Sequence, residues 1–347
     1  MKICLLTWWG DSLTYTVARA LSTAGHTVDI LITDRERHLA AKWGISARIR
    51  DIPGVTLLFA PDRESPEHYG MLVIQSFPRI GEHTALASRL ADRSDHVTLI
   101  SFGDRVRPWR DAVRLQRVEQ QVVRPFSRKL NVVAYKDGCH PLDLFALARV
   151  RRVHVGFDVH SKFLQSDALF RKIHATDWSV DDPRRLRLNF VGSRDPARRG
   201  EALERAERGW RSAGGRDDRR VLWKVYSDDR PGALPESEFV DILSDSDFTL
   251  APPGHSLITH RPVEAMLRGS IPILNEREAP IYELGLRDGE NCLLVRNDDW
   301  AAAVHRALAM DPAEVRRMRT HILAVRQTRL DYPVLAAAVC RRLGVPV

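Results

Sequence analysis

The stretch from Ser244 to Glu276 constrains the fold of this chain most, because it reads as strand, tight turn, short helix and strand. Asp247–Ala251 is a β-rich run that Pro252-Pro253-Gly254 ends, and Ser270–Leu274 is the next predicted strand. In a parallel sheet, the turn after a strand lies at the edge where ligands bind. The polar residues of this stretch are concentrated at that turn.

The predicted helix between the two strands has Thr259 as its N-cap, Pro262 in its first turn and Gly269 at its end. Free N–H groups at a helix start favour an anion. Arg261 and Glu264 are three positions apart, so we expect them to share the exposed face near that start. A guanidinium suits phosphate oxygens, and a carboxylate accepts hydrogen bonds from two sugar hydroxyls. The segment therefore predicts a site for a diphosphate.

Between Pro252 and Ile273 the sequence resembles the nucleotide-sugar-binding segment of the exostosin family of glycosyltransferases. The matching positions are Pro252, Gly254, Thr259, Arg261, Glu264, Ala265, Gly269, Ile271, Pro272 and Ile273. The resemblance implies a GT-B fold, in which two Rossmann-like, doubly wound parallel-sheet domains face a cleft. It also implies a UDP-sugar held mainly by the C-terminal domain, and inverting transfer without metal. We include Pro253 and His255, which flank the turn glycine, in the predicted donor site.

A second basic loop lies between Leu188 and Gly200. Its arginines follow the first predicted strand of the second domain, again at the ligand edge. The loop resembles the G-R-x-x-P-x-K-G loop of GT-B transferases, with Gly192 before it and with Arg194 and Arg199 as the nearest basic equivalents. The alternative is a surface loop in an arginine-rich protein.

The chain has 347 residues, which exceeds what one hydrophobic core usually supports. Strands and helices alternate in both halves, so we predict two α/β domains. The predicted limits are 1–180 for an acceptor-binding domain, 181–330 for a nucleotide-sugar-binding domain and 331–347 for a C-terminal helix that packs back on the first. The polar stretch Asp177–Arg185 is the predicted hinge.

Sugar transfer also needs a base that takes the proton of the acceptor hydroxyl. Candidates follow predicted strands of the first domain: Asp11 first, then Asp137 and His140, then Asp158 or His160. The alternative for Asp11 is a purely structural role as the N-cap of the helix that begins at Ser12.

The composition of the chain indicates which classes of partner the protein binds. The formal charge of +8 suits an anionic ligand, but the arginines are spread along the chain, which is typical of solvated surface rather than of a nucleic-acid site. Four widely spaced cysteines and the lack of a long apolar segment favour the cytoplasm and no integral membrane segment. The Asp245-Ser246-Asp247 triplet precedes its strand, so we expect helix termination and solvation there, and no metal or cofactor.

The sequence thus predicts a metal-independent glycosyltransferase that transfers a sugar from a nucleoside-diphosphate donor, with UDP implied by the resemblance. Ser256 stands where retaining GT-B enzymes carry a glutamate eight positions before Glu264, which favours inversion. The expected partners are the donor and a carbohydrate or small-molecule acceptor. Two alternatives stay open: a nucleotide-sugar epimerase of GT-B fold, and a non-catalytic protein that binds carbohydrate or nucleic acid.

Overall fold

The computed structural model describes residues 1–7, 10–40, 46–60, 68–75, 84–102, 130–135, 151–153, 159–213, 220–226, 234–254 and 259–346. The chain divides into two compact units. Unit 1 comprises Met1–Gln165 and Tyr332–Val347, and unit 2 comprises Ser166–Asp331.

Unit 1 contains a parallel sheet. Its strands are β1 Lys2–Thr7, β2 Thr27–Ile32, β3 Val55–Phe59, β4 Tyr69–Gln75, β5 Ser94–Phe102, β6 Leu130–Tyr135 and β7 Arg151–Val153. They lie in the order β3-β2-β1-β4-β5-β6-β7. Its first helices are α1 Ser12–Thr23, α2 Arg35–Ala40, α3 Ser46–Arg50 and α4 Thr84–Asp92. The strand order reverses between β1 and β4, which are adjacent and parallel. This is the doubly wound arrangement that the alternating sequence pattern predicts.

The central strands of unit 1 are apolar because helices cover a parallel sheet on both faces. In β1 every residue from Ile3 to Thr7 is buried, and β4 is buried at nearly every position. Such strands read as continuous hydrophobic runs rather than as alternating patterns, which is why β1 is visible in the sequence.

Unit 2 contains a second parallel sheet. Its strands are β8 Leu186–Ser193, β9 Val221–Tyr226, β10 Ser246–Leu250, β11 Ile271–Asn275 and β12 Leu293–Val295, in the order β12-β11-β10-β8-β9. Its helices are α5 Asp167–His174, α6 Ala197–Ser212, α7 Glu236–Ser244, α8 Arg261–Leu267, α9 Trp300–Ala309 and α10 Pro312–Val325. Short 3₁₀ turns cover Ser161–Leu164 in unit 1 and Ala279–Tyr282 in unit 2, and a π-helical turn covers Arg326–Leu330. The strand order reverses between β8 and β10.

The stretch predicted as a hinge lies inside unit 2, and the division between the units falls earlier, after Gln165. The Trp178 indole Nε1 donates to the Leu267 carbonyl at 3.0 Å, and Arg184 Nη1 donates to the Ser246 carbonyl at 2.7 Å. These bonds attach Asp177–Arg185 to the end of α8 and the start of β10. The polar composition of this stretch is typical of a linker, but two of its side chains hold it against the rest of unit 2.

The last helix, α11 Tyr332–Leu343, belongs to unit 1. It packs on α1, where the Arg19 guanidinium lies 4.0 Å from the centre of the Tyr332 ring. Thr98 Oγ1 in β5 donates to the Leu343 carbonyl at 2.8 Å. Leu335 and Val339 are buried against the unit.

Four arginines of unit 2 are exceptions to the expectation that arginine is mainly solvated surface. Arg187, Arg268, Arg319 and Arg326 of unit 2 are all buried. Arg268 Nη1 donates to the Lys172 and Ala175 carbonyls at 2.9 Å, and Arg326 Nη1 donates to the Ala175 and Leu267 carbonyls at 2.9 and 2.7 Å. The arginines therefore donate to carbonyls at the carboxyl ends of α5 and α8, where a helix leaves its last backbone acceptors short of donors. Part of the positive charge of the chain therefore has a structural role.

Candidate functional site

The carboxyl ends of β8 and β10 form the candidate donor site of unit 2. In doubly wound sheets, ligands bind at the carboxyl edge where the strand order reverses, and β8 and β10 flank that point. Arginines at the start of α6, which follows β8, donate to backbone carbonyls of the turn after β10. Arg198 Nε donates to the Gly254 carbonyl at 2.6 Å, and Arg199 Nε donates to the Pro253 carbonyl at 3.1 Å.

Two glycines allow this close approach. A Cβ atom at Gly192 would lie 3.1 Å from Arg261 Nη2, and one at Gly254 would lie 2.6 Å from Arg199 Nη2. Either contact is tighter than side chains normally tolerate. The structure therefore brings the predicted residues Gly192, Gly254, Arg199 and Arg261 to one edge of the sheet.

Arg261 begins α8 and supplies a partly buried positive charge at this edge. Its Nη1 donates to the Val191 carbonyl at 2.7 Å, and its guanidinium lies 5.2 Å from the ring centres of both Phe190 and Phe239. Burial lowers the pKa of the guanidinium, while the charge of Glu264 opposes that shift. Arg261 forms no salt bridge within the described part of the chain. An anionic ligand would relieve the cost of burying this cation.

Glu264 is not on an exposed face, so that part of the prediction is wrong. Its side chain is 3% exposed. The helix is only seven residues long and is buried from Pro262 to Leu267, because it packs against α5 and α7. Three-residue spacing puts Arg261 and Glu264 on neighbouring positions of the helix, but it does not decide whether that side meets solvent.

The start of α8 also differs from the prediction. His260, not Thr259, is the N-cap, and it makes no side-chain capping bond. The Thr259 backbone N–H donates to the Tyr282 hydroxyl at 2.8 Å, and that hydroxyl lies 2.8 Å from the Thr259 carbonyl, to which it donates. The other two features are confirmed: Pro262 is in the first turn, and Gly269 follows the helix with a φ of +70°.

Arg194 lies apart from this convergence. It forms a salt bridge of 3.0 Å with Glu204, and both side chains are about half exposed. Arg198, which was not among the predicted site residues, donates instead to the carbonyl of the turn glycine, Gly254. Only the position of Arg198 in the same basic loop could have indicated it.

The equivalent point of unit 1, between β1 and β4, carries a polar cluster around Asp11. Gln75, at the end of β4, donates through Nε2 to both carboxylate oxygens of Asp11 at 3.1 Å. Asp11 is also the N-cap of α1, and its Oδ1 accepts from the Thr14 backbone N–H at 2.9 Å. The structural alternative for Asp11 is therefore observed. A catalytic role for it stays a prediction.

His38 supports the loop that leads to Asp11. The Gly10 backbone N–H donates to His38 Nδ1 at 3.0 Å, so this nitrogen carries no proton and the ring is neutral. Burial lowers the pKa of the buried ring, and the charge of Arg50 lowers it further. The ring also packs against Phe59, with 5.7 Å between ring centres. Gln75 and His38 were both missed in the sequence, which places neither of them near Asp11.

We expect the stability of unit 1 to fall in mild acid because of His38. Its folded pKa lies below the ordinary value of 6.5, so the unfolded state takes up the proton first. The contribution of the neutral ring is complete above that value and is lost as the pH falls towards the folded pKa. A His38→Asn variant keeps an acceptor without a titrating ring, and should lose less stability between about pH 7.5 and pH 5.5 in thermal unfolding.

The matched control for this measurement is His68→Asn, because His68 is exposed and pairs with Asp95 at 2.9 Å. Its pH profile should follow that of the unmodified protein. Superimposable profiles for all three proteins would contradict the assignment to His38.

The remaining predicted residues lie elsewhere. His160 Nδ1 accepts from the Lys162 backbone N–H at 3.2 Å and caps the 3₁₀ turn that follows. Asp137, His140, Asp158 and His255 lie outside the described residues.

The Asp245-Ser246-Asp247 triplet is at the amino end of β10, opposite the candidate donor site. Asp245 is the C-cap of α7, as expected, and accepts from the Arg185 backbone N–H at 3.0 Å. Asp247 is not solvated: it pairs with Arg187 at 2.9 Å and with Arg319. Both carboxylates are thus bound to arginine.

The sequence matches no protein-family model and no curated protein, so the resemblance to the exostosin family is not confirmed. Solved structures, in contrast, include several that are similar to this chain. HepE from Anabaena, in complex with UDP and glucose, superposes with a TM-score of 0.54 and 13% identity over 99% of each chain. Sucrose-phosphate synthase from Thermosynechococcus elongatus gives a TM-score of 0.50 and 14% identity over 98% of each chain.

The chain has the GT-B fold. A third similar structure, a mutant of TarM from S. aureus, gives a TM-score of 0.50 and 10% identity over 79% of this chain and 55% of that one. The GT-B assignment confirms the predicted fold class. No described helix combines the length and the apolar character needed to cross a membrane.

Proposed function

We propose that the protein is a glycosyltransferase that transfers a sugar from a nucleoside-diphosphate donor, with UDP as the first choice, to a carbohydrate or small-molecule acceptor. One observation carries the proposal: Arg261 places a partly buried guanidinium, held by the Val191 carbonyl, at the strand-order reversal of unit 2. The choice of UDP is supported by the similar fold of HepE, which was solved with UDP and glucose and with UDP-glucose.

The donor end must stabilise the negative charge that develops on the departing diphosphate. Arg261 and Arg199 are the proposed phosphate ligands, beside the start of α6, which has no side-chain capping bond. Arg194 is a proposed third ligand, because an exposed ion pair such as that with Glu204 holds its partners only weakly. Each charged hydrogen bond contributes about 1.5–3 kcal/mol.

The acceptor end must supply a base. We propose Asp11, whose carboxylate is oriented by Gln75 and by the N-terminus of α1. In an inverting reaction the acceptor oxygen attacks the anomeric carbon on the face opposite the leaving diphosphate, and Asp11 takes up the hydroxyl proton. The proposed reaction uses no metal, since arginines neutralise the diphosphate.

Nucleotide binding tests the donor site. UDP at about 100 times its Kd should stabilise the protein by about 2.7 kcal/mol, and GDP, dTDP and ADP should stabilise it less. Arg261→Ala should weaken UDP binding about ten- to a hundredfold, because the loss of one charged hydrogen bond accounts for that range. Thermal shift assays at matched concentrations measure both effects.

The control for this assay is Arg185→Ala, which removes an exposed arginine from the opposite edge of the same sheet. This variant should bind UDP like the unmodified protein. Equal shifts for all four nucleotides would refute the preference for UDP, and an undiminished UDP shift in Arg261→Ala would refute the site.

A further inference from the structure

The strand-order reversal of unit 1 carries two buried polar side chains beside the partly buried Asp11. Gln75 ends β4 and is 3% exposed, and Thr14 lies in the first turn of α1 and is fully buried. Because β1 and β4 are adjacent and parallel, the carboxyl end of β4 lies beside the loop that carries Asp11. Side chains buried this deeply are not open to a substrate. Any part that Gln75 and Thr14 play in the reaction therefore goes through Asp11.

The amide of Gln75 has one orientation that satisfies its neighbours. Its Nε2 donates to Asp11 Oδ1 and Oδ2, each at 3.1 Å, and its Oε1 accepts from the Thr14 hydroxyl at 2.9 Å. An ionised carboxylate only accepts hydrogen bonds, so the opposite orientation would place the amide oxygen against it with no proton between them. The Thr14 hydroxyl thus stabilises the orientation in which the amide donates to Asp11.

Two elements of unit 1 hold the Asp11 carboxylate. From α1, the Thr14 backbone N–H donates to Oδ1 at 2.9 Å, and the Thr14 hydroxyl lies 3.0 Å from the same oxygen. From β4, the Gln75 amide bridges both oxygens. The terminal torsion of an aspartate has a broad energy minimum, so bonds to both oxygens are needed to fix the plane of the carboxylate. Gln75 supplies the bond to Oδ2.

We propose that Gln75 and Thr14 are positioning residues for sugar transfer, an inference that rests on the proposed function. Gln75 holds the Asp11 carboxylate in the orientation in which it takes up the proton of the acceptor hydroxyl, and Thr14 holds the amide of Gln75. A general base must come within about 2.6–3.2 Å of the oxygen that carries the proton, so a carboxylate that rotates is less often in reactive geometry. The two residues raise kcat and leave nucleotide binding unchanged.

A double-mutant cycle on Asp11 and Gln75 tests this role, with transfer measured as UDP release from UDP-sugars in the presence of an acceptor panel. Gln75→Met keeps the length of the side chain and removes the amide. It should lower kcat about 10–100-fold and change the Kd of UDP less than about twofold. In an Asp11→Asn background the same substitution should lower the remaining rate less than about twofold, because the carboxylate that Gln75 positions is gone. Equal losses in both backgrounds would show that Gln75 acts on the fold, and would overturn the proposal.

Thr14 gives a second test should Gln75→Met fail to fold. Thr14→Val keeps the shape of the side chain but removes its hydroxyl, and should lower kcat about three- to tenfold, the equivalent of one neutral hydrogen bond. Thr14→Ser keeps the hydroxyl and should retain kcat to within about twofold. Thr98→Val is the matched control, because Thr98 is also fully buried in unit 1 and its hydroxyl donates to the Leu343 carbonyl at 2.8 Å. It should leave kcat unchanged.

Nucleotide binding separates this proposal from the proposed function. If the unmodified protein binds UDP and transfers a sugar while Gln75→Met and Thr14→Val are fully active, the positioning role is overturned and the proposed function stands. If UDP binds but no UDP-sugar releases UDP with any acceptor, the proposed transfer and the positioning role are both overturned. If neither UDP, GDP, dTDP nor ADP binds, the donor site is overturned as well.

Discussion

Replacement of Asp247 by asparagine is expected to destabilise unit 2 by about 3–5 kcal/mol, the usual cost of removing one partner from a buried ion pair. The Asp247 carboxylate accepts from Arg187 Nη1 at 2.9 Å and also pairs with Arg319. These two arginine side chains are only 9% and 6% exposed. An amide is nearly the same size, but it would remove the carboxylate that both buried cations share.

The arginines cannot easily leave this environment. Arg187 Nε donates to the Ala307 carbonyl at 2.9 Å, and Arg319 Nη1 donates to the Asp182 carbonyl at 3.0 Å. Burial lowers the pKa of Arg319, and the neighbouring Asp247 opposes that shift. The carboxylate therefore keeps a charged guanidinium tolerable in a desolvated position.

Urea unfolding followed by tryptophan fluorescence measures the effect. Asp245→Asn is the matched control, because Asp245 lies two residues earlier and pairs with Arg185, whose side chain is 88% exposed. Water already solvates that arginine, so the control should change stability far less. Similar losses in the two variants would show that the Asp247 pairs carry no special weight.

Replacement of Asp11 by asparagine should lower sugar transfer about 10²–10⁴-fold, which is the usual contribution of general acid–base catalysis. Asparagine caps helices about as well as aspartate, so the stability of unit 1 should change little. The substitution thus separates the two roles of Asp11: the N-cap that accepts from the Thr14 backbone N–H at 2.9 Å, and the proposed base.

Release of UDP from UDP-sugars in the presence of an acceptor panel measures transfer, and thermal unfolding measures stability. Asp311→Asn is the control, since Asp311 caps α10 in the same way by accepting from the Ala313 backbone N–H at 2.7 Å. It should retain full activity. An Asp11→Asn enzyme as active as this control would reduce Asp11 to a structural cap.

Local patterns were enough to locate most strands. The apolar runs Lys2–Thr7 and Leu130–Tyr135 predict strands whose limits agree with β1 and β6, and the predicted limits of β10 and β11 agree to within one residue. Parallel strands covered on both faces must be apolar over their whole length, so proline, glycine and charge mark their ends clearly. The sequence of Phe163–His174 is typical of a single helix. The structure instead has a 3₁₀ turn followed by α5, because the Ser166 side chain caps α5 by accepting from the Leu169 N–H.

Glycines and arginines were enough to predict which residues form the candidate donor site, but they did not predict the surroundings of these residues. Gly192 and Gly254 mark loops where another side chain approaches the backbone closely, and Arg261 and Arg199 are those side chains. Nothing in the local sequence indicated the burial of Glu264. That burial depends on α5 and α7, which come from other parts of the chain.

The sequence by itself determined the alternation of strands and helices, and with it a doubly wound parallel sheet in each half, because hydrophobic periodicity and turn residues act over a few positions. Only the tertiary structure decided which charges are solvated. Arg187, Arg319 and Asp247 read as surface residues one by one, yet they are packed together at the amino end of β10. The free energy of a charge depends on the dielectric and on the partners around it, and both are set by parts of the chain that meet only on folding.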